Sequence, residues 1–164
     1  MTDAELAAFE ARIIAVCAEH TNIHWKNDDY RQCLTIESNE TKYFIKFDNA
    51  MALWPEFSTQ SYIYHYVIRH KNGPRISQAL HYFEIPGRAF FVMEHIGLAD
   101  PPPITNLAER AARAIDWLSK VPAPPEDVMG PSKDAIGPVG GGLIRHRFFN
   151  NYEAPVPFWS VADP

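Results

Sequence analysis

Apolar residues recur along the chain with two different periods, and the change of period predicts where helices and strands lie. Near the N-terminus they recur every three or four residues, which is typical of one face of a helix; this stripe is Leu6, Phe9, Ile13 and Val16. Thr2 and Glu5 precede it with the spacing of a capping box. We therefore predict a helix over residues 3–20, ended by Asn22, as the first segment of the chain (1–22).

The next part of the chain predicts a β-hairpin. Two runs rich in β-branched and aromatic residues, 30–36 and 43–47, are separated by the polar pair Asn39-Glu40. The pair lacks the Asn-Gly sequence that selects one hairpin turn, so the turn type is left open.

A helix and two more strands are predicted after the hairpin. Pro55 suits the first turn of a helix that runs to about His70. Strands through 80–83 and 89–96 flank a turn at Pro86-Gly87. Together with the hairpin, this order predicts an α+β unit with a twisted, mostly antiparallel sheet of about five strands and flanking helices.

A further helix and an irregular tail complete the predicted organisation. The helix would begin at Asn106, with Glu109 three residues later, and its apolar stripe is Leu107, Ala111, Ile115, Leu118 and Val121. It ends the second segment, 23–121. The remaining segment, 122–164, holds eight of the fourteen prolines and five of the eight glycines. Such a composition excludes long helices and predicts a Pro/Gly-rich C-terminal tail.

Composition narrows the class of protein. Hydrophobic residues make up 46% of the 164 residues, which indicates one globular domain with a core. The net charge of −5 and the absence of a basic patch argue against nucleic-acid binding. No apolar run is long enough to span a membrane, and the acidic N-terminus is unlike a signal peptide. We expect a cytoplasmic, soluble protein in which Cys17 and Cys33 are free thiols, with one disulfide as the alternative.

Lys46 is the first candidate for a functional residue. It interrupts an apolar strand, and burying a lysine is costly unless a negative group compensates it. Glu56, ten residues later at the start of a predicted helix, could supply that charge. Phosphoryl transfer uses such a lysine to hold nucleotide phosphates and such a glutamate to hold the lysine. The alternative is a lysine that points to solvent from an edge strand.

The order of four short stretches resembles a known family. Residues 43–47 contain Lys46, 56–64 begin with Glu56, 74–76 read Pro-Arg-Ile, and 91–96 read Phe-Val-Met-Glu-His-Ile. In this order they resemble the small, N-terminal lobe of the aminoglycoside-phosphotransferase and protein-kinase-like family, most closely its kinase-like proteins of filamentous fungi. The resemblance covers residues 23–96, and more loosely the tail around 137–146.

The resemblance implies an adenine-nucleotide site. Lys46 would contact the phosphates of ATP and Glu56 would hold Lys46. Met93 would close the back of the adenine pocket, while the backbone carbonyl of Glu94 and the backbone amide of Ile96 would bind the adenine edge. ATP with magnesium is therefore the implied ligand, bound weakly without a large lobe.

Several motifs of the family are absent from the sequence. No glycine precedes Gly73, so a glycine-rich phosphate loop is missing. Neither a His-Gly-Asp or His-Arg-Asp catalytic loop nor an Asp-Phe-Gly motif occurs, so no residues are assigned to catalysis or to magnesium. Ile115-Asp116-Trp117 only imitates the metal-binding tripeptide, since it lies in a helix. Likewise, His20 and His24 have a zinc-chelating spacing but no evident third ligand.

Two hypotheses of function follow from these observations. The first is a nucleotide-binding fragment or pseudokinase form of an ATP-dependent phosphotransferase, which we expect to show no phosphoryl transfer. The second is a non-enzymatic interaction module on the same scaffold, with a large lobe, another protein or a second copy as its partner. In either case we expect four rings of the tail to pack onto the lobe or into a dimer partner: Phe148, Phe149, Phe158 and Trp159.

Overall fold

The computed structural model describes residues 2–70, 72–97 and 106–122, together with Pro124 and Val139. Within these residues it forms three helices and four strands, which confirms the α+β class. They are α1 (Asp3–His24), β1 (Cys33–Ser38), β2 (Thr41–Asp48), α2 (Ala50–Arg69), β3 (Ala79–Ile85), β4 (Arg88–Glu94) and α3 (Leu107–Leu118). The four aromatic residues of the predicted tail contact lie outside the described residues.

The chain divides into two compact units. The first consists of Met1–Leu53 and Ala79–His95, and so contains α1 and all four strands. The second consists of Trp54–Gln78 and the described residues from Ile96 onward, with most of α2 and all of α3.

The sheet of the first unit is fully antiparallel and has the strand order β1-β2-β4-β3. The prediction of about five strands was therefore too high for the described residues. Tyr30, which was assigned to the first β-rich run, lies in the connection between α1 and β1. There the backbone forms turns, with N–H groups of Asn27 and Tyr30 donating to the carbonyls of His24 and Asn27. These bonds are local turns and do not belong to the sheet.

The β1–β2 hairpin closes through a two-residue turn at Asn39 and Glu40. Ser38 pairs with Thr41, and the two turn residues have φ values of 49° and 62°. Positive φ at both positions is what a type I′ turn requires, and this turn matches the twist of the flanking strands. Asn39 tolerates that conformation well, whereas Glu40 is strained in it. The turn type that the sequence left open is thus decided by the strand register.

Helix α1 covers one face of the sheet. Its residues Ile13 and Cys17 are fully buried against β-strand side chains of the same face, namely Ile36, Ile45, Phe47, Phe90 and Val92. Burial raises the pKa of the Cys17 thiol to about 12, although the charge of Arg88 opposes the shift. Cys17 and Cys33 are both free thiols.

The N-terminus of α1 is confirmed and its C-terminus was placed too early. The Thr2 hydroxyl accepts the Glu5 N–H, while the Glu5 carboxylate accepts the Thr2 N–H, so the capping box is complete. However, α1 continues past Asn22 to His24. Thr21 donates its hydroxyl to the Cys17 carbonyl and therefore stays within the helix instead of capping its end.

Helix α2 begins five residues before Pro55, so the predicted start was wrong. The carboxamide oxygen of Asn49 accepts the Ala52 N–H at 2.9 Å and caps the helix at that point. Pro55 therefore lies inside α2, where it cannot donate to the carbonyl of Met51. Met51 is 87% exposed, so this break in the helix hydrogen bonding lies on the surface.

Helix α3 is confirmed, but its capping and its orientation differ from the prediction. Asn106 is the N-cap residue and its side chain makes no capping hydrogen bond. Two members of the predicted apolar stripe, Leu107 and Ile115, are 63% and 67% exposed. The side of α3 that packs within the second unit instead carries Trp117, whose ring lies against Gly73 and forms an edge contact with Tyr66 at 5.7 Å.

Candidate functional site

Lys46 lies on an interior strand of the sheet. Strand β2 pairs with β1 on one side and with β4 on the other, which excludes the alternative of a lysine on an edge strand. Its neighbours along the strand, Ile45 and Phe47, are fully buried in the core beneath α1. Because side chains alternate along a strand, Lys46 belongs to the opposite face, where it is half-buried.

The cross-strand register defines the surroundings of Lys46 in the first unit. Cys33 of β1 and Phe91 of β4 are its direct partners, and Phe91 in turn pairs with Tyr82 of β3. These four residues form one row across the sheet. The direct neighbours of Lys46 in this row are thus a thiol on one side and an aromatic ring on the other.

Met93 and Glu94 occupy the end of β4. Met93 pairs with Phe44 and therefore shares the face of Lys46, where it is 7% exposed. Glu94 is the last residue of the strand, so the predicted strand end at Ile96 was two residues too late. At a rise of about 3.4 Å per residue, Glu94 lies about 10 Å along β4 from Phe91, the residue opposite Lys46.

Two of the predicted site residues belong to the second unit. Glu56 lies on α2 directly after Pro55, and Ile96 is a half-buried residue just beyond β4. The structure thus brings Lys46, Met93 and Glu94 together within one sheet. The pairing of Glu56 with Lys46 and the adenine contact of Ile96 stay predictions.

Other polar groups share the face of Lys46. The Tyr82 hydroxyl donates to the Glu84 carboxylate at 2.7 Å. Burial, followed by this hydrogen bond and the charge of Glu84, holds the pKa of Tyr82 well above its usual value. Tyr82 is therefore a neutral donor that is already engaged.

A search of the described residues for metal-ligand clusters found none. These residues contain no group of three or more His, Cys, Asp or Glu side chains that could hold a metal ion. Asp116 lies on the surface of α3 and forms an exposed ion pair with Lys120 at 2.7 Å.

The two histidines with chelating spacing are engaged in other contacts. Their rings lie 4.8 Å apart, and the Nε2 atom of His20 is 3.0 Å from the Arg31 carbonyl. The Nδ1 atom of His24 is 3.3 Å from the Asn27 amide nitrogen. These interactions link the C-terminal end of α1 to the α1–β1 connection.

One charged contact was missed by sequence reasoning. His81 of β3 and Glu10 of α1 are in side-chain contact, with a distance of 2.7 Å between Nε2 and Oε1. The two residues are far apart in sequence, so no local pattern signals the pair. Only the packing of α1 on the sheet brings them together.

Comparison with known proteins leaves the family open. The chain matches no protein-family model, no curated protein and no solved structure. The described helices include none that is long and apolar enough to cross a membrane.

Proposed function

We propose that this protein is a non-catalytic, kinase-like small lobe that binds an adenine nucleotide on the sheet face carrying Lys46. One observation carries the proposal: the lysine strand β2 and the strand that ends at Glu94 are direct neighbours in the sheet. A lysine that holds phosphates and a backbone segment that binds adenine must lie along one nucleotide, and neighbouring strands provide that arrangement.

The interior position of Lys46 supports the same proposal. A half-buried ammonium group on an interior strand can form charge-assisted hydrogen bonds with a phosphate on that face of the sheet. The chain would still lack the means to transfer a phosphoryl group, because its sequence contains neither the catalytic-loop aspartate nor the metal-binding motif. The proposed role is therefore binding, as in a pseudokinase or in one part of a phosphotransferase.

The test is a titration of the chain with ATP and magnesium, followed by calorimetry. We expect saturable binding that Lys46→Met weakens by about tenfold or more, the value of one charge-assisted contact. Lys42→Met is the matched control, because Lys42 lies on the same strand and face but is exposed. Adenosine, which has no phosphate, should bind both variants and the parent chain equally.

Two results would contradict this proposal. One is the absence of saturable ATP binding by the folded parent chain; the other is an equal loss in Lys46→Met and Lys42→Met, which would indicate nonspecific attraction of phosphate to a charged strand. Phosphoryl transfer above a no-enzyme control that Lys46→Ala abolishes would refute the non-catalytic role.

A second candidate function is protein interaction through α3. Leu107, Ala111 and Ile115 form an exposed apolar stripe on this helix, and exposed apolar patches mark interaction surfaces. A second copy of the chain would be the simplest occupant. Sedimentation of Ile115→Asp tests this function, with Arg113→Asp as the control because Arg113 is exposed and lies about 160° around the helix from Ile115. A dimer that only Ile115→Asp dissociates would favour the interaction module, whereas a monomeric parent chain would exclude self-association.

A further inference from the structure

The first unit contains a cavity on the α1 side of the sheet, away from the face of Lys46. Its volume is about 750 Å³, within the range of small-molecule sites. Phe9 of α1, Tyr43 of β2 and Val92 of β4 provide apolar surface, and the Phe9 and Tyr43 ring centroids are 5.2 Å apart.

The sequence of α1 leaves this space open. Ile13 and Cys17 are fully buried against the sheet, whereas Phe9, one turn earlier, is half-buried and Glu5 is exposed. Ala8 also lines the cavity, and its methyl group is too small to fill the gap between helix and sheet. The cavity is thus a consequence of small and charged residues where α1 would need large apolar ones.

A β-bulge supplies one wall of the cavity. Ala79 pairs with Met93 and His81 with Val92, so Leu80 is an extra residue on β3. Its side chain is 44% exposed and lines the cavity. Bulges redirect side chains next to binding sites. Here the bulge places a large apolar side chain where it can contact a ligand.

Arg12 is the cation at this cavity. Its Nη2 atom donates to the Glu37 carbonyl at 2.7 Å, which fixes the guanidinium at the cavity edge. A guanidinium has five N–H donors, so one such bond leaves capacity for a carboxylate. Of the nearby carboxylates, Glu5 lines the cavity and accepts the Thr2 N–H in the capping box, while Glu10 contacts His81; neither forms a hydrogen bond with Arg12 among the contacts of the described residues.

We infer that this cavity binds a small carboxylate with an aromatic or branched apolar body. The carboxylate would bind the Arg12 guanidinium, and the apolar body would contact Phe9, Tyr43 and Leu80. This binding does not depend on the nucleotide site, because Lys46 lies on the opposite face of the sheet.

Phenylacetate is a suitable probe, with the neutral phenylacetamide as its isosteric counterpart. In a ¹⁵N NMR titration we expect saturable shifts at the amides of Phe9, Tyr43 and Leu80 with phenylacetate. Arg12→Gln should weaken phenylacetate binding by about tenfold, to the level of phenylacetamide, because one charge-assisted contact is lost. Arg31→Gln, on the α1–β1 connection, and Lys46→Met should leave it unchanged.

A cavity-filling variant provides the second measurement. Ala8→Phe should abolish the shifts, whereas Ala7→Phe, on an exposed position next to it, should keep them; thermal unfolding shows that both variants fold. The inference is overturned if phenylacetate causes no saturable shifts up to about 10 mM, or if Arg12→Gln binds it as the parent chain does. Equal effects of Ala7→Phe and Ala8→Phe would also overturn it.

Discussion

Strand β4 and helix α3 have the clearest apolar patterns of the chain, yet they differ in how far their apolar residues are buried. In β4 every residue from Ala89 to Met93 is buried. In α3 no residue is fully buried, and Leu107 and Ile115 of its apolar stripe are exposed. A continuous apolar run on a strand places large residues on both faces, so both must be covered. An amphipathic stripe on a helix shows which face requires a partner, but it does not show that the partner is within the same unit.

Packing in the second unit explains the orientation of α3. Trp117 lies about 160° around the helix axis from Ile115, and its ring fills the space that a side chain at Gly73 would need. The packing of the Trp117 ring against Gly73 therefore determines which side of α3 is packed within the second unit. The stripe Leu107-Ala111-Ile115 is left for a partner or for solvent.

The largest expected loss of stability comes from a substitution in β4, and a substitution in α3 is its comparison. Phe90→Ala in β4 should lower the free energy of unfolding by about 3–5 kcal/mol, because it leaves a cavity in the core beneath α1. Ile115→Ala in α3 should change it by no more than about 0.5 kcal/mol, since the side chain is exposed and alanine favours helix. Urea unfolding followed by circular dichroism measures both. A cost of Ile115→Ala that grows with protein concentration would contradict an exposed stripe and indicate self-association.

An intermediate loss of stability is expected from a substitution at Gly73, where α3 packs. A Cβ atom there would lie 2.8 Å from the Trp117 ring, so Gly73→Ala should lower the free energy of unfolding by about 1–3 kcal/mol through overpacking. In a Trp117→Leu background the same substitution should cost much less. Gly87→Ala is the matched control, because Gly87 has a φ of 81° and no atoms near its Cβ position. The stability loss from Gly87→Ala comes from backbone strain alone and should be the same in the parent chain and in the Trp117→Leu background. If Trp117→Leu reduced the losses from Gly73→Ala and Gly87→Ala equally, the packing of Trp117 against Gly73 would be refuted.

The smallest effect is expected at the start of α1. Thr2→Ala removes the hydroxyl that accepts the Glu5 N–H and should cost about 1 kcal/mol at neutral pH. The hydrogen bonds from Thr2, the backbone one first, hold the pKa of Glu5 below 4.5. Their contribution to stability is therefore present above that value and is lost as the pH falls through the lowered pKa. The variant that tests the carboxylate is Glu5→Gln: thermal unfolding at neutral pH and at about pH 3 should show that the stability difference between Glu5→Gln and the parent chain shrinks in acid, and an unchanged difference would show that the ionised Glu5 carboxylate takes no part in the cap.

Local patterns in the sequence determined the existence of most elements. The Thr2/Glu5 spacing, the β-rich runs of the hairpin and the Pro86-Gly87 turn each indicate a structure through contacts within a few residues, and the structure contains all three. The predicted ends of helices were less accurate where one residue was compatible with two positions in or near a helix. Pro55 suits a first turn, but the side chain of Asn49 starts α2 earlier, and Asn22 could end α1 but does not.

The sequence alone therefore determined the α+β class, the capped first helix, the hairpin and the choice of Lys46 as an unusual strand residue. Only the tertiary structure decided that β2 is an interior strand next to β4, that Glu10 meets His81, and that Arg12 lies at the edge of a cavity. These facts depend on contacts between residues far apart in sequence, which strand order and register fix together. The orientation of α3 belongs with them for the same reason: Leu118 and Val121 of its stripe are half-buried, whereas Leu107, Ala111 and Ile115 stay exposed. The fit of Trp117 against Gly73 selects this orientation.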